Sequence, residues 1–123
     1  MFKNSQVICL EKWLYSTSLD GDIFDGADFT ETNLRGAYLD DVDLTTTRNF
    51  NLIKGKDLSY VIADYANFSD LNLSGFDFTK ASLNGANFKG TNLTGAKFSE
   101  TIWTDGKTIN GVCAEGSIGE CKK

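Results

Sequence analysis

The 123-residue chain contains no histidine and no proline. Without histidine it lacks the commonest general base, the commonest zinc ligand and the central member of every histidine-dependent triad. Without proline, no strand residue is deprived of its backbone N–H, which suits a fold built on continuous strand pairing. There is no apolar run of about eighteen residues, so the sequence offers no transmembrane helix. It also shows no signal peptide, because Val7-Ile8-Cys9-Leu10 is interrupted at once by Glu11-Lys12. With Met1 as the native start the default compartment is the cytoplasm. A Met1 supplied after removal of a leader would leave an exported or periplasmic location open. Basic charge is scarce in the first third. Residues 1–44 carry nine acids against three bases (Lys3, Lys12, Arg35), while residues 45–123 carry nine bases against eight acids, for a net charge of −5. A basic face for nucleic acid is not expected from that balance. The length fits one domain.

What the sequence does contain is a large apolar residue at every fifth position across one long stretch: Phe68, Leu73, Phe78, Leu83, Phe88, Leu93, Phe98 and Trp103. Two residues before each stands another apolar or small residue, such as Ala86 before Phe88. Five residues of α-helix advance about 500°, so these side chains would spray around a helix axis. In a continuous strand an odd period would alternate between faces. Only a chain that turns at the same place in each five keeps them together. Phe88 and Ala86 then point in, Asn87 points out, and Lys89-Gly90 lie at a corner, where Gly75, Gly85, Gly90 and Gly95 also fall.

A chain with equal corners must close on itself. Register at twenty residues is self-consistent: Phe68 meets Phe88, Leu73 meets Leu93, Phe78 meets Phe98 and Leu83 meets Trp103. Register at fifteen or twenty-five would pair Phe with Leu throughout. The alternation therefore predicts an even number of sides, and four is the compact even choice. The fives Ala27-Asp28-Phe29-Thr30-Glu31, Ala66-Asn67-Phe68-Ser69-Asp70 and Ala86-Asn87-Phe88-Lys89-Gly90 follow an A-(D/N)-(L/F)-x-x pattern that resembles the pentapeptide-repeat family. The resemblance covers about residues 19–103. It implies an all-β solenoid, a right-handed quadrilateral parallel β-helix of about four to five coils. It implies much less about function, since the family's roles are diverse.

Taken in order, residues 1–18 are expected to form an N-terminal cap, with Val7, Leu10, Trp13 and Leu14 at helical spacing and Cys9 as a buried thiol. Residues 19–103 form the repeat. Its first phase runs Leu19, Phe24, Phe29, Leu34, Leu39, Leu44, with Asp22 as an imperfect inward position. From Leu44 to Ile53 the spacing is nine, so the segment 45–56 holds a deletion, a tightened corner or a small loop; a tolerated one-residue slip is the simplest account. Residues 104–123 form an irregular C-terminal cap with turn-marking glycines. Cys113 and Cys121 span a reasonable distance for a small disulfide loop, although the spacing alone does not fix the pairing. The tail is similar to the end of some bacterial pentapeptide-repeat proteins, several of them exported.

No constellation of catalytic residues is present. Asp40-Asp41, or Asp20 and Asp40 stacked at twenty residues, read most simply as a solvated acidic face. Corner Ser and Thr have no base beside them. No enzyme activity, cofactor or metal site is expected. A direct nucleic-acid or membrane contact is not expected either. The expected function is a non-catalytic scaffold that offers its surface to a protein partner of unknown identity, as a monomer or weak homodimer. The candidate partner-binding residues lie where the regularity fails: Asp20, Asp40 and Asp41 in the acidic coils, and Arg48, Lys54 and Lys56 at the phase break. The resemblance implies one alternative. Some family members bind DNA gyrase by imitating duplex DNA and protect it from quinolones, and the acidic first coils fit that role in part.

Overall fold

The structure is a computed structural model and describes residues 24–123. The segment 1–18 assigned to an N-terminal cap, with Cys9, lies outside the described residues, as do Asp20 and Asp22. The described chain forms a β-helix whose unit is the five-residue step. The first and third residues of each five turn inward, so Ala66 and Phe68, Ala81 and Leu83, and Ala96 and Phe98 are all buried. The second residue faces out and, at most positions, bridges to the neighbouring coil. The fourth and fifth make a turn closed by a backbone bond, as from Leu71 N–H to Phe68 O (3.2 Å) and from Ala81 N–H to Phe78 O (3.0 Å). The fifth residue has positive φ whatever its identity: 61° at Asp70, 57° at Lys80, 73° at Gly90. A type II turn needs that conformation at its third position. Glycine adopts it freely, whereas a residue with a Cβ is strained there by about 1–2 kcal/mol.

From residue 57 onward the coils repeat at twenty residues. Parallel bridges join Asp57, Asp77 and Lys97, then Ile62, Ser82 and Ile102, then Asn67 and Asn87, then Asn72 and Asn92. Twenty residues hold four fives, so each level supplies four central inward side chains; Phe68, Leu73 and Phe78 stack on Phe88, Leu93 and Phe98, like on like, whereas the small Ala63 lies under Leu83 and Leu58 under Phe78. Phe68 lies on Phe88 with ring centroids 4.8 Å apart and 9° between planes, and Phe78 lies on Phe98 at 5.2 Å and 7°. Trp103 stacks on Phe88 at 4.7 Å and meets Phe98 edge-on at 5.3 Å. At two small inward positions threonine replaces alanine and donates its hydroxyl to a carbonyl of the previous coil, Thr91 to Phe68 (2.7 Å) and Thr101 to Phe78 (2.6 Å). Thr32 is equally buried and its hydroxyl has no such partner.

The interruption at 45–56 is not a one-residue deletion or slip. Bridges across it change from Asp28–Arg48, twenty residues apart, to Tyr38–Ile62 and Asp43–Asn67, twenty-four apart. One coil is thus four residues longer than the rest. The excess is taken up by two 3₁₀ turns, Phe50–Leu52 and Lys54–Lys56. Asn49 adopts φ 60°, which delays the inward turn by one residue and sends Phe50 into the core. There its ring contacts Phe29 (5.4 Å), Phe68 (6.3 Å) and Phe76 (6.1 Å). Ile53 is also buried, and Lys54 N–H donates to Thr32 O at 2.9 Å, reconnecting the turns to the coil below.

After the last twenty-residue step the chain reverses. Strand β1 (Lys97–Ile102) pairs antiparallel with β2 (Thr108–Val112), with a bulge between Phe98 and Thr101. The following residues lie along the last coil. Leu93 N–H donates to Ser117 O and Gly95 N–H to Cys113 O (both 2.8 Å), where Leu73 and Gly75 donate to Asn92 and Thr94 one coil earlier. Cys113 and Cys121 are joined, with Cα atoms 4.9 Å apart. Among the described residues no helix is long and apolar enough to cross a membrane.

Candidate functional site

The outward second position of each five is where a surface property can be written. On most of the rod it is aspartate or asparagine, for a local reason. Its side-chain oxygen accepts the N–H two residues on and closes the corner: Asp28 from Thr30 (3.0 Å), Asn67 from Ser69 (3.0 Å), Asp77 from Thr79 (2.9 Å), Asn87 from Lys89 (2.9 Å), Asn92 from Thr94 (3.1 Å). This is an Asx turn, and it makes the outward Asp/Asn ladder a product of corner chemistry first.

The six residues proposed as partner contacts fall into separate settings. Asp20 lies outside the described residues. Asp40 is half-buried, and its carboxylate accepts the N–H of Asp64 at 3.2 Å, so it serves the corner of the next coil. Asp41 stands beside it, exposed, at a positive-φ corner (62°). Arg48 lies over Asp28: its guanidinium is 4.0 Å from that carboxylate, and its Nε donates to Gly26 O at 3.0 Å. The Asp28 carboxyl is held down to about 2, first by the hydroxyl and backbone N–H of Thr30, then by the Asn49 amide, with Arg48 contributing less and partial desolvation opposing.

Lys54 and Lys56 flank Gly55 on the extended coil, and both are exposed. Lys54 and Gly55 edge an open hollow of about 330 Å³ whose other walls are Asn33, Arg35, Asp57 and Asp77. Two carboxylates and two cations therefore share that hollow, with Arg35 3.8 Å from Asp57. The structure thus brings Lys54 together with Arg35, Asp57 and Asp77, and Arg48 together with Asp28. No group of His, Cys, Asp or Glu among the described residues is arranged to hold a metal ion.

One face of the rod departs from the outward Asp/Asn pattern. The outward positions of one face are Tyr38, Ile62, Ser82 and Ile102, in place of Asp or Asn. Tyr60 and Tyr65 stand on the two edges of that face, and Arg35 lies over the Tyr60 ring at 4.8 Å. The signal was available, since a Tyr or Ile one place before the inward residue breaks the A-(D/N)-(L/F) pattern. It shows only when outward residues are aligned at the coil repeat, and the longer coil shifts that alignment by four.

A family model described as pentapeptide repeats matches eight copies over residues 14–48 and 64–102, more than half of the chain. The chain belongs to the pentapeptide-repeat family. Proteins of this family form right-handed β-helices, generally structural and non-catalytic. The gap between the matched stretches coincides with the extended coil, where the five-residue step is lost. Among solved structures the chain is similar to HetL, a pentapeptide repeat protein involved in heterocyst differentiation regulation from the cyanobacterium Nostoc sp. strain PCC 7120. The two are 21% identical, with a TM-score of 0.29, over 83% of this chain and 63% of HetL. This pentapeptide-repeat chain therefore spans less than two thirds of the length of that relative. The comparison with curated proteins gives no match.

Proposed function

We propose that this pentapeptide-repeat chain is a non-catalytic scaffold acting as a protein–protein interaction module. The observation that supports this reading is the fixed lattice of outward side chains. Most of these residues lie on a backbone bridge between coils and most accept a bond within their own corner, so the surface is presented with little conformational freedom to lose on binding. The finer expectations belong to the same proposal: a four-sided rod of about four to five coils, an N-terminal cap, no cofactor, and no direct contact with nucleic acid or membrane. The partner-facing residues proposed are Asp41 with Asp40 on one corner, and Lys54, Lys56 and Arg48 at the extended coil. The test is affinity capture from the source lysate with three baits: the natural chain, an Arg48/Lys54/Lys56→Ala variant and an Asp40/Asp41→Asn variant. Loss of a specific partner from one variant supports the module. An unchanged set of bound proteins on all three baits refutes the assigned surfaces.

A second reading is a DNA mimic that binds gyrase. The nine acids in residues 1–44 favour it, and the near-neutral remainder does not. A supercoiling assay decides it: absence of inhibition or protection at micromolar protein removes the mimic.

A further inference from the structure

We infer that the Cys113–Cys121 disulfide is a redox-sensitive latch. Closed, it holds the tail across one side of the last coil; a dithiol reductant opens it and bares that strand edge. The inference goes beyond the scaffold reading and does not depend on it.

The tail covers the last coil by backbone bonds and little else. Where it leaves β2, Cys113 is anchored in both directions, its N–H donating to Ala96 O (2.9 Å) and its O accepting from Gly95 N–H (2.8 Å). The chain then turns away and returns to the coil, where Ser117 O accepts Leu93 N–H and Gly119 N–H donates to Thr91 O (both 2.8 Å). Gly116 N–H adds a bond to Thr94 Oγ1 at 3.2 Å. No large apolar side chain secures this return. Ser117 is the one buried residue from 114 to 123, and Ile118 keeps 54% of its surface exposed. Three bonds within the turn shape it without tying it to the rod: Ser117 Oγ–H to Ala114 O (2.7 Å), Lys122 N–H to Ser117 Oγ (2.9 Å) and Ala114 N–H to Lys122 O (2.6 Å). Bonds of this kind contribute little net stability, because water competes for both partners. The covalent link supplies what the side chains do not. It joins Cys121, at the far end of the turn, to Cys113, which is buried against the core. Closing a loop of sequence separation 8 favours the docked turn over an open one by up to about a hundredfold.

The two sulfurs differ in access. Cys113 is 3% exposed, whereas Cys121 is only half-buried. A thiolate of the reductant therefore forms its bond to Cys121 Sγ as the Cys113–Cys121 bond breaks, and Cys113 leaves as a thiolate that takes up a proton. The second thiolate of the reductant then attacks its partner sulfur in the mixed disulfide and releases Cys121, which is protonated in turn. The protein gains two electrons and two protons, and the dithiol becomes a disulfide. With the loop open, residues 114–121 come away from Thr91–Leu93, while Cys113 stays on Ala96 through its continuity with β2. Opening thus strips one edge and leaves the coils intact.

Amide exchange of the full chain, followed by NMR with and without dithiothreitol, tests this. Reduction is expected to speed exchange at Leu93 and Gly119 at least about tenfold. Gly95 and Cys113, next to β2, should change much less. Leu73 and Gly75, which make the equivalent bonds one coil earlier, should not change. Cys121→Ser should show the fast exchange without reductant, and reoxidation of the natural chain should restore the slow one. Exchange at Leu93 and Gly119 that reduction does not move overturns the proposal. So does equal acceleration at Leu73 and Gly75, which would make the bond a staple of the whole rod. A folded chain whose disulfide resists dithiothreitol overturns it as well.

Discussion

Between residues 57 and 102 every bridge spans twenty residues, whereas those from Tyr38 and Asp43 span twenty-four. The regular region stacks like on like, with nearly parallel rings 4.8 and 5.2 Å apart. The extended coil holds its level with a single relocated aromatic, Phe50, which meets three other rings at tilted, edge-on and stacked angles. The difference teaches that the inward column tolerates extra backbone at a corner, provided a large side chain refills the level and the ladder is rejoined. Rejoining needs only a few bonds here, of which Lys54 N–H to Thr32 O is one.

The sharpest way to break the comparison is to empty each region in turn. Phe78→Ala removes a ring fully buried between Leu58 and Phe98 and should cost about 3–5 kcal/mol in urea unfolding. A loss below about 1 kcal/mol would mean the twenty-residue register is wrong. Phe50→Ala should cost about 3 kcal/mol if the extended coil is packed as part of the same core. A cost of about 1 kcal/mol or less would show the two 3₁₀ turns to be a surface addition. At the corners, Gly90→Ala should destabilise by about 1–2 kcal/mol, since φ is +73° and the new Cβ would crowd the Asp70 carboxylate. Lys80→Gly, at φ 57°, should gain up to about 1 kcal/mol, the strain relieved less the added freedom of the unfolded chain.

The smallest effect concerns pH. Asp28 sits at about 2 in the fold against an ordinary value of 3.8, so its contribution is complete above about pH 4 and disappears as pH falls through about 2. Asp28→Asn should flatten that part of the stability–pH curve and leave neutral-pH behaviour nearly unchanged. An unaltered acid limb would show that the Thr30 and Asn49 contacts to Asp28 do not persist in solution.

Much of the fold was legible because the inward residues announce it. A strict period of five is incompatible with helix or strand, and Phe/Leu alternation singles out twenty over fifteen. The extended coil departs from the expected one-residue slip for an equally physical reason. Leu44 to Ile53 is nine residues, one short of ten, which looks like a deletion along the chain. The sum that matters runs around the coil, from Tyr38 to Ile62, and that distance depends on which faces pair again after the turns. Phe50 was invisible because a left-handed Asn49 displaces it from the expected place. The Tyr38–Ile62 face does not show in the inward period, because its residues occupy outward positions that align only at the coil repeat. The sequence expects Asp40 on an open acidic surface, whereas its carboxylate accepts the Asp64 N–H; only the coil-to-coil spacing shows that.

The end of the rod has a consequence of its own. A β-helix is a one-dimensional crystal: each coil templates the next, and nothing in the repeat itself says when to stop. Here the stop is supplied by the chain's own tail, which occupies with Cys113 and Ser117 the sites that another coil would fill. Growth by addition of further chains is thereby forestalled at that side of the rod, much as a passivated surface halts a growing crystal.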